Sequence, residues 1–442
     1  MKVIKCFLIS GLLVFTAAAL FAGGGQETGP ATLTFMVHAA DLPKEWVDQF
    51  NGANPDINLV RVEVNWEKWV VEAMTGTAPD LRQLELGSDT PYYARRGLFL
   101  DITDYLKKSE LIKMDDIDAP ASVHYRWDGT DSGKGPWYGL CKDYSAIGSI
   151  TYNVEMFKKA GLAKLSTTQP IAYQNELYEL AKKLTVKDSS GNVIFWGYEI
   201  SPDWVQLFAS DMAYAEGTSF FTDKLRSEMN EDPKMRNIWK WWTRFMVEDL
   251  SSNIRNPAAG WTGAAFASDR VAIVQLGYWF GAQLMTENPG YNEKYAWAPT
   301  PILRTGAKRY TNTLGATGTV IYAKTKYPDR AFRVFDWYTG GDYAVERART
   351  GWGIPPLYSL RQYLPMGNEF NKTRADIAFD DAKYFVPWMA SSLIKEFTPW
   401  AAAWNEGIDD LVQGNINADT FVDRYYAYLN KELEAGKKEL GL

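Results

Sequence analysis

The stretch VAIVQLGYWFG, Val271 to Gly281, decides the fold class. Val271, Ala272, Ile273, Val274 and Leu276 form a short, almost wholly apolar run, the pattern of a strand buried inside a parallel sheet. Such a strand ordinarily gives way to a polar turn. Here it runs into Gly277, Tyr278, Trp279, Phe280 and Gly281, so aromatic rings bracketed by glycines stand at the carboxyl end of a core strand.

Outward from this stretch, apolar strands alternate with amphipathic helices over most of the chain, which predicts an α/β architecture. Toward the amino terminus, strands are expected at Thr32–Val37, Ile57–Val64 and Leu81–Leu86. Helices are expected at Pro43–Asn51, Trp66–Met74, Thr90–Arg96 and Asp104–Lys108, with Asn54-Pro55-Asp56, Gly76 and Pro79 as punctuation. Further on come a strand at Ile147–Tyr152, a helix at Val154–Ala160 closed by Gly161, a long helix at Ala172–Leu184 and a strand at Val193–Tyr198. From Leu393 onward the chain reads as mostly helical. Trp239, Trp241 and Trp242 lie on a helix and are expected in the core.

Lys2 and Lys5 precede the charge-free apolar run Phe7 to Leu20, and the small residues Ala22 and Gly23 follow it. This is the layout of a secretory signal peptide, residues 1–22. The run is short for a bilayer, and no other stretch approaches the ~20 apolar residues of a membrane helix. Position 23 is Gly, not the Cys a lipoprotein needs, so a soluble protein in the periplasm or outside the cell is expected. Cleavage leaves Cys141 as the one thiol, and stability must come from packing. The net charge of −7 and the lack of any basic cluster argue against nucleic acid as a partner.

Catalytic and cofactor signatures are missing. His38 and His124 are far apart and lack metal-ligand spacing. There is no G-x-S-x-G elbow, P-loop, C-x-x-C or strand-linked G-x-G-x-x-G. No cofactor or metal is expected, and the Lys187–Asn192 turn lacks the alternating acids of a calcium loop. A glycosidase needs only two carboxylates, and 54 acidic residues leave that route open.

Five segments carry a family likeness. Thr75-Gly76-Thr77-Ala78-Pro79-Asp80 is similar to a Gly-x-x-Pro-Asp element, and Gly97-Leu98-Phe99-Leu100-Asp101-Ile102 to the Gly-Leu-Leu element after it. Trp137-Tyr138-Gly139-Leu140, then Tyr152-Asn153 and Phe157 to Leu162, follow a Tyr-Gly-x-Pro … Tyr-Asn-x-x-x-Phe-x-x-Ala-Gly-Leu pattern, with Leu140 in place of the proline. Phe266 to Ile273 and Gly277-Tyr278-Trp279 match a Phe-x-x-Gly-x-x-Ala-Met … Gly-x-Trp element, with Asp269 in place of its glycine. Asp329 to Phe335 through Gly353-Ile354-Pro355-Pro356 matches the last. In this order, the segments resemble the extracellular solute-binding proteins of ABC transporters, in the sugar-binding group that includes maltose-binding protein.

The resemblance implies the two-lobed, type II periplasmic-binding-protein fold, closing at a hinge on a ligand in the cleft. The lobes are expected at 31–142 plus 312–360 and at 143–311 plus 361–442. The implied function is a monomeric receptor, not an enzyme, that delivers a sugar or oligosaccharide to the permease subunits of an ABC transporter. The alternatives are a secreted carbohydrate-active enzyme or its binding module, and a receptor for another polar solute.

In open α/β sheets, ligands sit beyond the carboxyl ends of strands, which gives the rings after Leu276 a purpose. Trp279 is the expected stacking platform for the apolar face of a sugar, against core packing as the alternative. Tyr278 is a weaker candidate, since neighbours on extended backbone point opposite ways. Asp89, in Gly87-Ser88-Asp89-Thr90, stands where the family places a sugar-binding carboxylate, though it equally suits a helix N-cap. Asp143 and Tyr144, after Gly139-Leu140, are candidates for binding hydroxyls, with solvated loop residues as the alternative. His38 ends the first strand, and Trp204 and Trp352 are loop aromatics; all three complete the candidate set.

Overall fold

A computed structural model describes residues 30–442 except 203, 259, 313–316 and 396. The expected signal peptide lies outside the described residues.

Ala31–Met36 pairs in parallel with Ile57–Val62 and with Leu81–Leu84. Gly318–Ile321 returns antiparallel between Leu81–Leu84 and Gly139–Cys141, completing a five-stranded sheet. Alternation along these strands divides the core into two layers. Leu33, Phe35, Leu59, Leu81 and Ile321 face helices Lys44–Ala53 and Pro328–Gly340. Met36, Leu84, Cys141 and Val320 face Trp69, on helix Trp66–Thr75, and Tyr93.

The second sheet has Ile150–Asn153 at its centre, antiparallel to both Ile273–Gln275 and Tyr295–Ala298. Ile150, Tyr152, Ile273 and Ala298 pack against helix Pro233–Val247 and the carboxyl-terminal helices. Trp239, Trp241 and Trp242 are buried there. Val274, Tyr295 and Trp297 face the opposite core with Phe266, Phe280 and Phe370. The strand read from Val271 is therefore buried on both faces, but its ladder is antiparallel, and its parallel pairing is confined to one bridge between Val271 and Trp196. Burial on two faces imposes the same apolar run on either kind of strand.

Two further readings change in detail. The helix expected from Ala172 opens with a π-helical turn, Tyr173–Leu177, before regular helix Tyr178–Leu184. The strand expected to run to Tyr198 pairs with Val186–Lys187 over Val193–Phe195, and Trp196 then makes a single parallel bridge to Val271.

The chain passes from the first sheet to the second between Cys141 and Ile150, and back between Ala298 and Gly318. It crosses again after helix Asp342–Thr350, since Glu369–Asp381 supplies Phe370 and Ile377 to the second lobe's core. Tyr278, Ile354, Leu364 and Ala375 join the core layer around Tyr93, so the passages between lobes are packed.

Candidate functional site

One end of each sheet meets the other. The strands ending at Met36, Leu84 and Cys141 lead to His38, Asp89 and Asp143. The strand ending at Gln275 leads to Trp279. Residues 142–149 join the two ends directly. Gly277, at φ +73°, turns the chain where an added Cβ would sit 2.9 Å from both Ile147 Cα and Ser145 Cβ. Only glycine meets both demands, backbone and space. Trp279 then starts helix Phe280–Glu287, and its N–H donates to Ser145 Oγ at 3.0 Å.

Trp279 lies in a cluster of tryptophans. Its ring is 17° from parallel with Trp261, centroids 6.0 Å apart, and 8° from parallel with Trp352, centroids 6.3 Å apart. Trp204 meets it edge-on at 6.3 Å. Trp279 itself is half-buried, whereas Trp261 and Trp352 are 46% and 45% exposed. The open apolar surface thus belongs to the two flanking rings, with Trp279 ordering them. Trp352 is presented by Gly351, at φ +70°, and by Gly353, where a Cβ would fall 2.4 Å from Asp143 Cβ. Beside Trp204 and Trp261 opens a cavity of about 310 Å3, walled also by Glu199, Ser201, Ser252 and Thr262.

The first sheet contributes polar groups. Lys142 is buried, with Nζ 3.0 Å from Asp41 Oδ1 and 2.7 Å from Asp143 Oδ2. Gln83 Nε2 donates to the other oxygen of Asp41 at 2.7 Å, and its Oε1 accepts from the His38 N–H at 3.1 Å. Burial works to raise the Asp41 pKa, but the Lys142 ammonium outweighs it and holds the carboxyl below the usual range. For Lys142, burial pushes down while Asp143 and Asp41 pull the ammonium well above its ordinary value. The exposed His38 ring stands edge-on to Trp66 at 5.8 Å. Asp89 is half-buried in the turn Gly87–Asp89, and its side chain forms no cap bond to helix Thr90–Arg95. Helix capping does not account for an Asp at this position.

Two candidates face inward. Tyr144 is buried, its N–H donating to the Ile354 carbonyl and its hydroxyl accepting from Arg361 Nη2 at 3.2 Å, beside Asp118. Tyr278 is buried with the Arg374 guanidinium 4.1 Å above its ring. Both fill the core between the lobes and offer a ligand no surface. The turn at Gly277 sends Tyr278 in and Trp279 out. Sequence reasoning missed Trp261, although Gly260-Trp261 ahead of helix Thr262–Ala267 repeats the glycine–aromatic signal. It also missed the bridging Lys142, which reads in sequence as one lysine beside Asp143. Among the described residues, no group of His, Cys, Asp and Glu could hold a metal.

The family of bacterial extracellular solute-binding proteins matches residues 33–345. Solved structures are similar over nearly the whole chain. An ABC transporter solute-binding protein of Thermotoga lettingae, bound with α-D-tagatose, is 21% identical with a TM-score of 0.71, over 92% of this chain and 100% of that one. The sugar-binding protein MalE of Xanthomonas citri is 14% identical with a TM-score of 0.70, over 93% and 99%. The galacto-N-biose/lacto-N-biose I-binding protein of Bifidobacterium longum, in complex with lacto-N-biose, is 17% identical with a TM-score of 0.68, over 94% and 99%. No curated protein sequence matches. The shared architecture is the two-lobed, type II binding-protein fold.

Proposed function

This chain belongs to the bacterial extracellular solute-binding proteins, and from that premise we propose that it is the carbohydrate receptor of an ABC transporter. The observation that carries the reading is the tryptophan cluster, with Trp261 and Trp352 exposed on either side of Trp279, beside a fixed set of polar groups. A sugar ring has an apolar C–H face and a rim of hydroxyls. Flat indoles suit the first; carboxylates, amides and imidazoles suit the second. The proposed ligand surface comprises Trp279, Trp352, Trp204 and Trp261 on one side, and Asp89, Asp143 and His38 on the other.

The lobes are proposed to be 31–142 plus 312–360 and 143–311 plus 361–442, in support of which each range supplies one sheet with its strands. The protein is proposed to be exported, to act as a monomer and to hand its sugar unchanged to membrane permease subunits. No described helix is long and apolar enough to cross a membrane.

A thermal-shift screen of the mature protein against mono- and oligosaccharides tests the reading. A ligand that binds only the native state raises stability by RT ln(1 + [L]/Kd), so the cognate sugar lifts the melting midpoint in a concentration-dependent way. Sugar recovered intact after long incubation supports a receptor. Steady product formation makes the protein a carbohydrate-active enzyme, and a response to non-sugar solutes alone makes it a receptor of another kind.

A further inference from the structure

The cavity beside Trp204 and Trp261 contains a carboxylate for which the described residues supply no cation. Glu199 is 5% exposed and lines the cavity. Its partners are all neutral: Ser251 Oγ at 3.2 Å, the Ser252 N–H at 3.0 Å and the Ser252 hydroxyl. No lysine or arginine of the described residues pairs with it. Asp118 and Asp381, at comparable burial, face Arg361 and Arg309.

A carboxylate withdrawn from water is disfavoured in its ionised form unless a positive charge stands beside it. Burial indeed raises the pKa of Glu199, against the hydrogen bonds from Ser252 and Ser251. The rest of the wall suits an organic cation. Indole faces attract ammonium groups, and the hydroxyls of Ser201, Ser252 and Thr262 supply acceptors for the remaining N–H donors. At about 310 Å3 the space lies at the small end of ligand pockets, which run from about 300 to 1,000 Å3. It suits one sugar residue rather than a chain.

We propose that this cavity receives a protonated amine of the ligand, so that the transported solute is an amino sugar or an oligosaccharide containing one. The proposal rests on the carbohydrate-receptor reading above, and it assigns the amine to Glu199. A neutral hydroxyl in its place would leave the buried carboxylate without a counter-charge. An N-acetyl group would do the same.

Calorimetry at neutral pH on the mature protein, with glucose, glucosamine and N-acetylglucosamine and the corresponding galactose series, tests the assignment. In one series the free amine binds about tenfold or more tightly than its neutral and N-acetylated counterparts, and Glu199→Gln abolishes that preference. Neutral or acetylated sugar binding as tightly as the amine overturns the assignment and leaves the receptor reading standing. Methylammonium, followed by the fluorescence of the cavity tryptophans, separates the two failures. Saturable quenching by methylammonium when no sugar binds overturns the carbohydrate reading and retains the cation site. No response to any amine overturns the cation site. The comparison on the unmodified protein decides the matter even if Glu199→Gln fails to fold.

Discussion

Arg374 and Tyr278 are joined twice: the guanidinium lies 4.1 Å above the phenol ring, and Nη1 donates to the Tyr278 carbonyl at 2.9 Å. The same Nη1 reaches the Gly351 carbonyl at 3.2 Å. Tyr278 precedes Trp279, and Gly351 precedes Trp352. One buried arginine on helix Glu369–Asp381 therefore ties together the two loops whose tryptophans stack. The fit is close, since a Cβ at Gly281 would lie 2.4 Å from Nη1 and one at Gly351 would lie 2.6 Å from Nη2. Among the described residues Nε and Nη2 have no hydrogen-bond partner, and burial lowers the pKa of the guanidinium. The cost of burying this charge is offset by the tyrosine ring and two carbonyls rather than by an acid.

Arg374→Met keeps the length of the side chain and removes the donors. The buried Gly351 carbonyl then loses its Arg374 donor, at about 1–3 kcal/mol for an unsatisfied group, while the Tyr278 carbonyl keeps the Gly281 N–H at 3.1 Å. The unfolding midpoint should fall, and sugar affinity should fall with it because the Trp279 and Trp352 loops are released from each other. Arg374→Lys has a point charge in place of a planar fork and should recover part of the loss. Unchanged midpoint and unchanged affinity in the Met variant would show that the tie is dispensable.

Trp352 and Trp279 should respond differently to removal. Trp352 is 45% exposed, so Trp352→Ala should lower the melting midpoint less than Trp279→Ala does while still weakening sugar binding. Trp279 orders both neighbours, and Trp279→Ala should cost binding roughly 2–4 kcal/mol, the range of an interface hot spot, or about 30- to 900-fold. Trp279→Phe keeps a flat apolar ring and should retain more affinity than Ala. Calorimetric affinity beside the ligand-free unfolding midpoint distinguishes the roles. A Trp279→Ala protein that melts far earlier yet binds normally once folded would assign that ring to the core alone.

These residues show how far the sequence could be read. The strands around Leu33 and Leu59 were legible because buried and exposed positions alternate along them, and the strand around Ile273 because burial on both faces demands an unbroken apolar run. The same demand concealed the direction of pairing at Ile273–Gln275, since antiparallel and parallel ladders buried on both faces require the same side chains. Trp279 was legible from its place after a strand. Its surroundings were not, because Trp261, Trp352 and Arg374 reach it from segments far along the chain. Tyr144 and Tyr278 carry the same polar-tipped rings as a ligand contact would, and only the turn at Gly277 and the Arg361 and Arg374 contacts turn them inward.

Acid stability should depend in part on Asp249, just after helix Pro233–Val247. Burial works to raise its pKa, but bonds from Lys187 Nζ at 2.9 Å, Asn253 Nδ2 at 2.8 Å and Arg255 Nη2 at 3.0 Å outweigh it and hold the carboxyl at about 2. A folded-state pKa below the unfolded value means that the native protein binds the proton less readily. The stabilisation is therefore complete above about pH 4 and is lost as the pH falls toward 2. Asp249→Asn should melt earlier than the parent at pH 7, and the gap should narrow as the pH drops from 4 to 2. Melting midpoints across that window check it. A gap that stays constant would mean that the Asp249 charge contributes nothing and only its shape matters.

Ligand binding should close the cleft. The chain passes between the sheets after Cys141, after Ala298 and after Thr350, so relative motion of the lobes must be absorbed in those connections. The connection 142–149 is held tightly: Ser145 Oγ accepts from Trp279, Gly277 lies against Ile147, and Lys142 bridges Asp41 and Asp143. Closure should therefore swing the lobes as rigid bodies and leave these contacts intact. A compact chain of this size has a radius of gyration near ~22 Å, and an open cleft gives a larger value. Small-angle scattering should report contraction on adding the sugar identified by thermal shift. Lys142→Met, which leaves Asp41 and Asp143 facing each other without their cation, should loosen the connection and increase the ligand-free radius, with the contraction on binding correspondingly greater. Scattering that stays constant at saturating sugar, in both proteins, would mean that the ligand enters a cleft already closed.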